Sequence, residues 1–471
     1  MLSILLHLAS FVHASTYYLS DIGVRGYARG GAFVAGANDL SAQWYNPSAL
    51  TRLHGTEVQL HTTGVKQFIN FDREDYPGQG PVVDGNPTDL INAPIENTAR
   101  LLPIPHFAVI HDFGIENLTV LFGFTTPYAT GMKYSADGPQ RYSLQDSVVI
   151  HTFTGPAIAY KIHELVSIGL GSSWNYLVVG QTRKVALQVP NTICDGSTEN
   201  PQCDVQFEAT TKDKTAFTWN ASTTIESPNH KWAWAVMYQP KIKVDAVGSL
   251  HADFTGNFFY DNGIVLSQTT EDKEVNLVAY MPKIIRTGIL FRPSEFLELE
   301  LSGVYEGWKT LQSLDITNVN MKIDLNDFFG DTTITDDISL PTHFNDSWSL
   351  RFGGEYRKSD RWTMRSGMMY ETTGLQNEYM NPGLVDRNKF GLGMGVSWRA
   401  NEKWTIDGGA FGSWMGTWDV TNSQSKQIAV LVDPFSDEGA KVIDGRTVSD
   451  GTYSSSNILL GLGFSRRFLK E

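Results

Sequence analysis

The stretch Phe390, Gly391, Leu392, Gly393, Met394, Gly395, Val396, Ser397, Trp398, Arg399 decides the fold. Side chains repeat every two residues along a strand, so Phe390, Leu392, Met394, Val396 and Trp398 share one face. Glycine, serine and arginine occupy the other. A soluble sandwich strand reads the same way once. Here the pattern recurs along most of the chain and aromatics mark its ends, which describes a membrane-spanning β-barrel.

Working outward, Leu297, Leu299 and Leu301 alternate with Glu298, Glu300 and Ser302. Trp348, Leu350, Phe352 and Tyr356 oppose Ser349, Arg351, Glu355 and Arg357, and Ile458, Leu460, Leu462, Phe464 and Phe468 form the last such face. The pattern predicts fourteen strands, at 57–71, 104–113, 118–134, 146–162, 166–185, 214–227, 232–250, 278–292, 297–316, 345–358, 362–374, 388–400, 404–420 and 454–468. Six short connections are expected, near Gly114–Asn117, His163–Leu165, Ser227–Lys231, Pro293–Glu295, Ser359–Arg361 and Asn401–Lys403, alternating with seven long ones. An even strand count with short turns at one end and long loops at the other is the outer-membrane pattern. Tyr160, Trp232, Phe296, Tyr356, Trp362, Trp398 and Trp404 sit beside the short turns, where an interfacial girdle belongs.

Composition conceals the membrane. The chain of 471 residues is 41% hydrophobic, with a mean hydropathy of -0.21, because lumen-facing polar residues alternate with lipid-facing ones. No run of 18 apolar residues offers a spanning helix. A formal charge of -14 argues against nucleic acid as a partner. Much of the acid falls in expected loops (Asp72, Glu74, Asp75, Asp331, Asp336, Asp337), as solvated charge or as cation bridges to lipopolysaccharide.

Residues 1–14 read as a secretory signal peptide, with an apolar run from Leu2 to Val12 and small residues before Ser15. No Lys or Arg precedes Arg25, so the basic n-region is missing. Two cysteines, Cys194 and Cys203, lie in one expected loop and are predicted to pair in an oxidising compartment. Neighbouring histidines are absent there, which disfavours a two-cysteine metal site. No cofactor or metal is expected, and no catalytic grouping stands out. Glu298, Glu300 and Glu306 read as lumen lining rather than acid–base machinery.

Residues 15–53 do not alternate. They are rich in small residues (Gly23, Gly26, Gly30, Gly31, Ala32, Ala35, Gly36, Ala37), then turn chemistry at Asn38, Asp39, Asn46, Pro47 and Ser48. A phosphate cradle is excluded by the missing lysine. The expected organisation is therefore a signal peptide at 1–14, a compact plug inside the lumen at 15–53, and a barrel at 54–471.

The stretch Arg25 to Ala32, Asn38-Asp39, and Tyr45-Asn46-Pro47-Ser48-Ala49-Leu50 resembles the hatch of the FadL family of outer-membrane transporters of hydrophobic compounds. The family's Asn-Pro-Ala motif stands here as Asn46, Pro47, Ser48. Similarity continues at Pro127-Tyr128, Arg141-Tyr142, Ile158 to Lys161, Tyr305 to Trp308, Trp362 to Gly367, Pro382, and Asp386-Arg387. The resemblance implies an all-β, 14-stranded antiparallel transmembrane β-barrel with an N-terminal hatch. It also implies passive uptake of long-chain fatty acids or aromatic hydrocarbons, caught by extracellular loops and released sideways through a kink in the third strand.

Thr126, Pro127 and Tyr128 are the expected gate, because proline interrupts a ladder; a proline above the membrane edge would read alike. Tyr17, Tyr18 and Leu19 are apolar enough to reach a ligand pocket, or to fray. Arg141, Arg183, Lys184 and Lys309 are the cations considered for a carboxylate, or else ordinary paired lumen charge. A monomeric barrel contacting outer-membrane lipid is expected. The alternatives are a surface receptor or adhesin using the long loops, and a general porin for polar solutes.

Overall fold

A computed structural model describes residues 21–74, 93–196, 199–326, 331–433 and 440–468. The signal peptide, Tyr17, Tyr18, Leu19 and Asp75 lie outside the described residues. The chain closes into an all-β antiparallel barrel of fourteen strands. The first five are β1 (Thr56–Arg73), β2 (Leu102–His111), β3 (Leu118–Lys133), β4 (Asp146–His163) and β5 (Val166–Gln188). Three strands are each built of two runs: β6 (Asp204–Asp213, Phe217–Glu226), β7 (Trp232–Gln239, Ile242–Asp253) and β8 (Thr269–Met281, Ile284–Ser294). The rest are β9 (Leu297–Glu306), β10 (Ser347–Arg357), β11 (Trp362–Glu371), β12 (Lys389–Arg399), β13 (Trp404–Val420) and β14 (Gly451–Phe468). Pairing of β14 with β1, from Thr56 opposite Phe468 to Arg73 opposite Gly451, closes the sheet.

Alternation sets which face meets lipid. Phe390, Leu392, Met394 and Trp398 are exposed on the outer wall, and Gly391, Gly393 and Ser397 are buried inside. All seven aromatics beside the short turns are exposed, with Trp232 stacked on Phe291 and Trp362 on Trp398. A second belt, Trp174, Phe217, Trp348, Tyr370 and Trp414, is likewise exposed toward the other end. From Trp398 to Phe390 is roughly 26 Å of strand at ~3.3 Å per residue, matching an apolar band of about 25 Å.

The structure corrects several expected boundaries. Strands β6 and β8 begin at Asp204 and Thr269, before 214 and 278. Their outer halves rise past the lipid, where no greasy face is required and alternation weakens. The run expected at 297–316 breaks at Gly307, where a single turn, Trp308–Thr310, carries Trp308 inward before Ser313–Thr317 resumes the ladder.

Outside the membrane the long loops build a cap. A hairpin of Lys426–Val432 and Ala440–Thr447 runs beside the end of β5, with Ala429 opposite Ala186. Val185, Leu187, Leu250, Phe259, Met321 and Val430 form its buried apolar core. The sulfurs of Cys194 and Cys203 are bonded within it. A ring of this size constrains the unfolded chain by about 2–3 kcal/mol. Of the loop acids, Asp336 and Asp337 accept backbone N–H groups of Val442 and Asn318, and Asp331 pairs with Lys322.

Candidate functional site

Residues 21–53 lie in the lumen, each buried or half-buried. A five-residue helix, α1 (Val24–Ala28), rests on the inner wall of β11 to β13. The inward glycines make room for it. A Cβ at Gly393 would collide with the Tyr27 carbonyl oxygen, and one at Gly367 with that of Arg29. The glycine face of the deciding stretch is thus the seat of this segment.

Polar contacts fix its register. The Glu300 carboxylate accepts the N–H groups of Val34 (2.7 Å), Ala35 (3.0 Å) and Gly36 (2.7 Å), and pairs with the Arg29 guanidinium at 3.3 Å. Three successive amides converging on one carboxylate form an anion nest. Asn46 donates from Nδ2 to the Val34 carbonyl (2.8 Å) and to Thr224 (2.9 Å). Pro47 opens a turn of 3-10 helix, a position that needs no N–H donor, and the Ser48 amide donates to Ser222 at 2.8 Å. Asp407 takes Arg25 at 3.1 Å, and Arg286 donates to the Trp44 carbonyl at 2.9 Å. Sequence reasoning read Glu300 as simple lining and missed its part in the nest, since its partners lie over 260 positions away.

The wall is interrupted at β3. Its pairing with β2 runs from His111 opposite Val120 to Phe107 opposite Phe124 and stops there. Opposite β4, the register jumps between Thr125 and Tyr128, leaving Thr126 and Pro127 out of the ladder. Residues 125–130 are all buried, so the alternation fails and the strand is drawn inward. Tyr128 then packs edge-on toward Trp308 and stacks near Phe153. Above the interruption Asn97 re-ties the wall: its Oδ1 accepts the Lys133 N–H, and its Nδ2 donates to the Gln67 carbonyl. The prolonged break lies between 100–106 and 125–130.

Behind the kink is an apolar cavity lined by Tyr128, Leu177, Val179, Leu277, Met281 and Trp308, among others. Among the described residues no Lys, Arg, Asp or Glu lines it. Gln181, Leu314 and Leu340 are shared with a more polar vestibule nearer the cap, to which Arg183, His343 and Lys426 contribute. The Arg183 guanidinium donates to Gln181 Oε1 at 3.0 Å, placing it at the junction.

Two expected ligand cations are elsewhere. Arg141 is buried in an ionic cluster, 2.8 Å from Asp204 and 3.3 Å from Glu199, with Arg73 completing the Glu199 pair. Its charge is consumed in tying loops together. The Lys309 side chain is exposed and lines neither space; its backbone N–H donates to Asp346, and its neighbour Trp308 is the residue that reaches the cavity.

These features define a fourteen-stranded transmembrane barrel with residues 21–53 packed against its inner wall. The model of the family described as outer membrane protein transport protein (OMPP1/FadL/TodX) matches residues 5–468, and the chain belongs to that family. The barrel is accordingly that of a Gram-negative outer membrane, in a family of transport proteins rather than enzymes. A long-chain fatty acid transport protein of Shigella flexneri is 22% identical over 269 residues, covering 53% of this chain and 57% of that protein. The chain thus spans a little over half the length of this curated relative. A FadL homologue of Pseudomonas aeruginosa superposes with a TM-score of 0.73 at 15% identity, over 97% of this chain and 100% of that one. The toluene transporter TodX of P. putida gives 0.65 at 13% identity, over 96% and 100%.

Proposed function

We propose that the protein passes hydrophobic small molecules inward across the outer membrane, by diffusion and without a water-filled pore. The carrying observation is the apolar cavity that ends at Tyr128, on the strand segment where the wall ladder is interrupted. Backbone left unpaired at membrane depth is tolerated only where it faces protein or a cavity, so the interruption serves as a sideways exit. Residues 21–53, within the hatch expected at 15–53, close the direct route through the lumen; an open porin for polar solutes has no use for them.

Long-chain fatty acids are the ligand class we favour. The vestibule supplies the Arg183 guanidinium for a carboxylate, beside a Lys426–Asp444 pair at 3.0 Å, and the cavity supplies apolar wall for the chain. The curated relatives named for this substrate agree with it, and the toluene transporters among the structural neighbours mark aromatic hydrocarbons as the competing class. Uptake of labelled hexadecanoate by cells carrying Pro127→Val tests the exit. A several-fold fall is expected, since a residue able to donate restores the ladder toward β4; uptake equal to wild type removes the gate from this position.

A further inference from the structure

The apolar cavity contains polar atoms that the rest of the fold leaves unused. His151 of β4 is fully buried and faces the cavity, and neither ring nitrogen has a hydrogen-bond partner among the described residues. Thr211 of β6, also on the cavity wall and 2% exposed, has an unpartnered hydroxyl. Burying polar groups without partners is costly, so polar atoms of this kind on a cavity wall call for a partner inside the cavity, a ligand group or water. No charged side chain lines the cavity among the described residues, so the group these atoms would take is neutral.

Its position along the ligand follows from strand register. His151 lies opposite Leu177 of β5, and Arg183 stands six residues beyond on the same strand. That is about 20 Å at ~3.3 Å per residue. A chain with its carboxylate at Arg183 therefore presents its remote end to His151. An imidazole accepts from a hydroxyl through one nitrogen and donates through the other, and the Thr211 hydroxyl does either.

We propose that His151, opposite Leu177, and Thr211, opposite Val179 and so two residues nearer Arg183, line a hydroxyl-binding subsite in the cavity, selecting long-chain acids that carry a hydroxyl in the half of the chain remote from the carboxylate. This rests on the reading that the cavity holds the ligand's chain. Calorimetric titration of the purified full-length barrel with hexadecanoate and 16-hydroxyhexadecanoate tests it, using wild type, His151→Phe and Thr211→Val. Both substitutions keep the side-chain shape roughly and remove the polar atoms. The hydroxy acid should lose about five- to tenfold in affinity in each variant, the worth of one neutral hydrogen bond, while hexadecanoate is unchanged or tighter. Equal effects on both acids, as expected if the two side chains hold only water, overturn the subsite. Should wild type bind neither acid, the fatty-acid reading fails, and p-cresol against p-xylene decides the subsite alone. Weaker p-cresol binding by His151→Phe sustains it, and indifference to the substitution overturns it.

Discussion

At the scale of single residues, the lumen is organised by a few buried charges rather than by apolar packing alone. Glu300 is the clearest: one carboxylate takes three backbone amides, the Ser302 hydroxyl and an arginine. Breaking a buried ion pair from one side typically costs about 3–5 kcal/mol, because the remaining charge stays buried. Glu300→Gln replaces one accepting oxygen by a donor facing donors and leaves Arg29 to more distant partners, Glu298 at 3.8 Å and Glu355 at 3.9 Å. The expected outcome is loosening of residues 33–36 from the wall without loss of the barrel. Planar-bilayer recording measures this directly. The variant should conduct ions where wild type stays closed, and silent membranes at equal insertion would show that the nest does not hold the plug.

At the scale of elements, β2 and β3 flank the proposed exit, and β2 contributes two prolines to it. Pro103 and Pro105 lie opposite Gly64 and Thr62 of β1. In an antiparallel pair, residues alternate between bonding one neighbour and the other. Prolines have nothing to donate to β1, so their backbone nitrogens face the side where β3 has departed. They remove two donors that would otherwise stand unpaired at membrane depth. In Pro103→Val/Pro105→Val the new amides should recruit β3 toward β2, with both amides protected from hydrogen exchange and hexadecanoate uptake reduced several-fold. Rapid exchange at both positions with full uptake would mean the edge is held open by something else. How much of this is legible in sequence depends on the element. Alternation at 390–399 and 297–302 gives strand and face directly, because lipid on one side enforces the period. Pro127 marks the interruption. The inward pull of 125–130 is not readable, since Thr125, Thr126 and Thr130 resemble loop chemistry and Tyr128 is covered by Phe153 of β4 and by Trp308 of the turn after β9. Arg141 reads as a ligand cation for the same reason: its carboxylate partners, Glu199 and Asp204, arrive from the distant β5–β6 connection.

At the scale of the whole molecule, the cap is tied to the barrel through an ionic cluster that spans the long loops. Glu199, within the ring closed by Cys194 and Cys203, pairs with Arg73 at the outer end of β1 at 2.5 Å and with Arg141 of the β3–β4 loop at 3.3 Å. Arg141 in turn holds Asp204 at the head of β6, and the Tyr142 hydroxyl donates to that same carboxylate at 2.7 Å. Three connections that are distant in sequence therefore move as one. Burial pushes the Glu199 carboxyl up, but the Arg73 pair, joined by Arg141, outweighs it and holds the group below its ordinary 4.5. A carboxyl depressed on folding stabilises fully above its unfolded value, and that contribution is lost as pH falls through the lower folded value. The Glu199 pairs should therefore be intact at neutral pH and be lost only as pH falls below that ordinary 4.5. Hydrogen exchange of the cap segments between pH 7.5 and pH 3.5, corrected for intrinsic rates, reads this out. Protection should hold to pH 5 and then drop in the segments around 73, 141 and 199 together. Glu199→Gln should lower protection at every pH and flatten the acid transition. Loosening that begins already near pH 6, or that spares one of the three segments, would show that the cap is not held by this carboxylate.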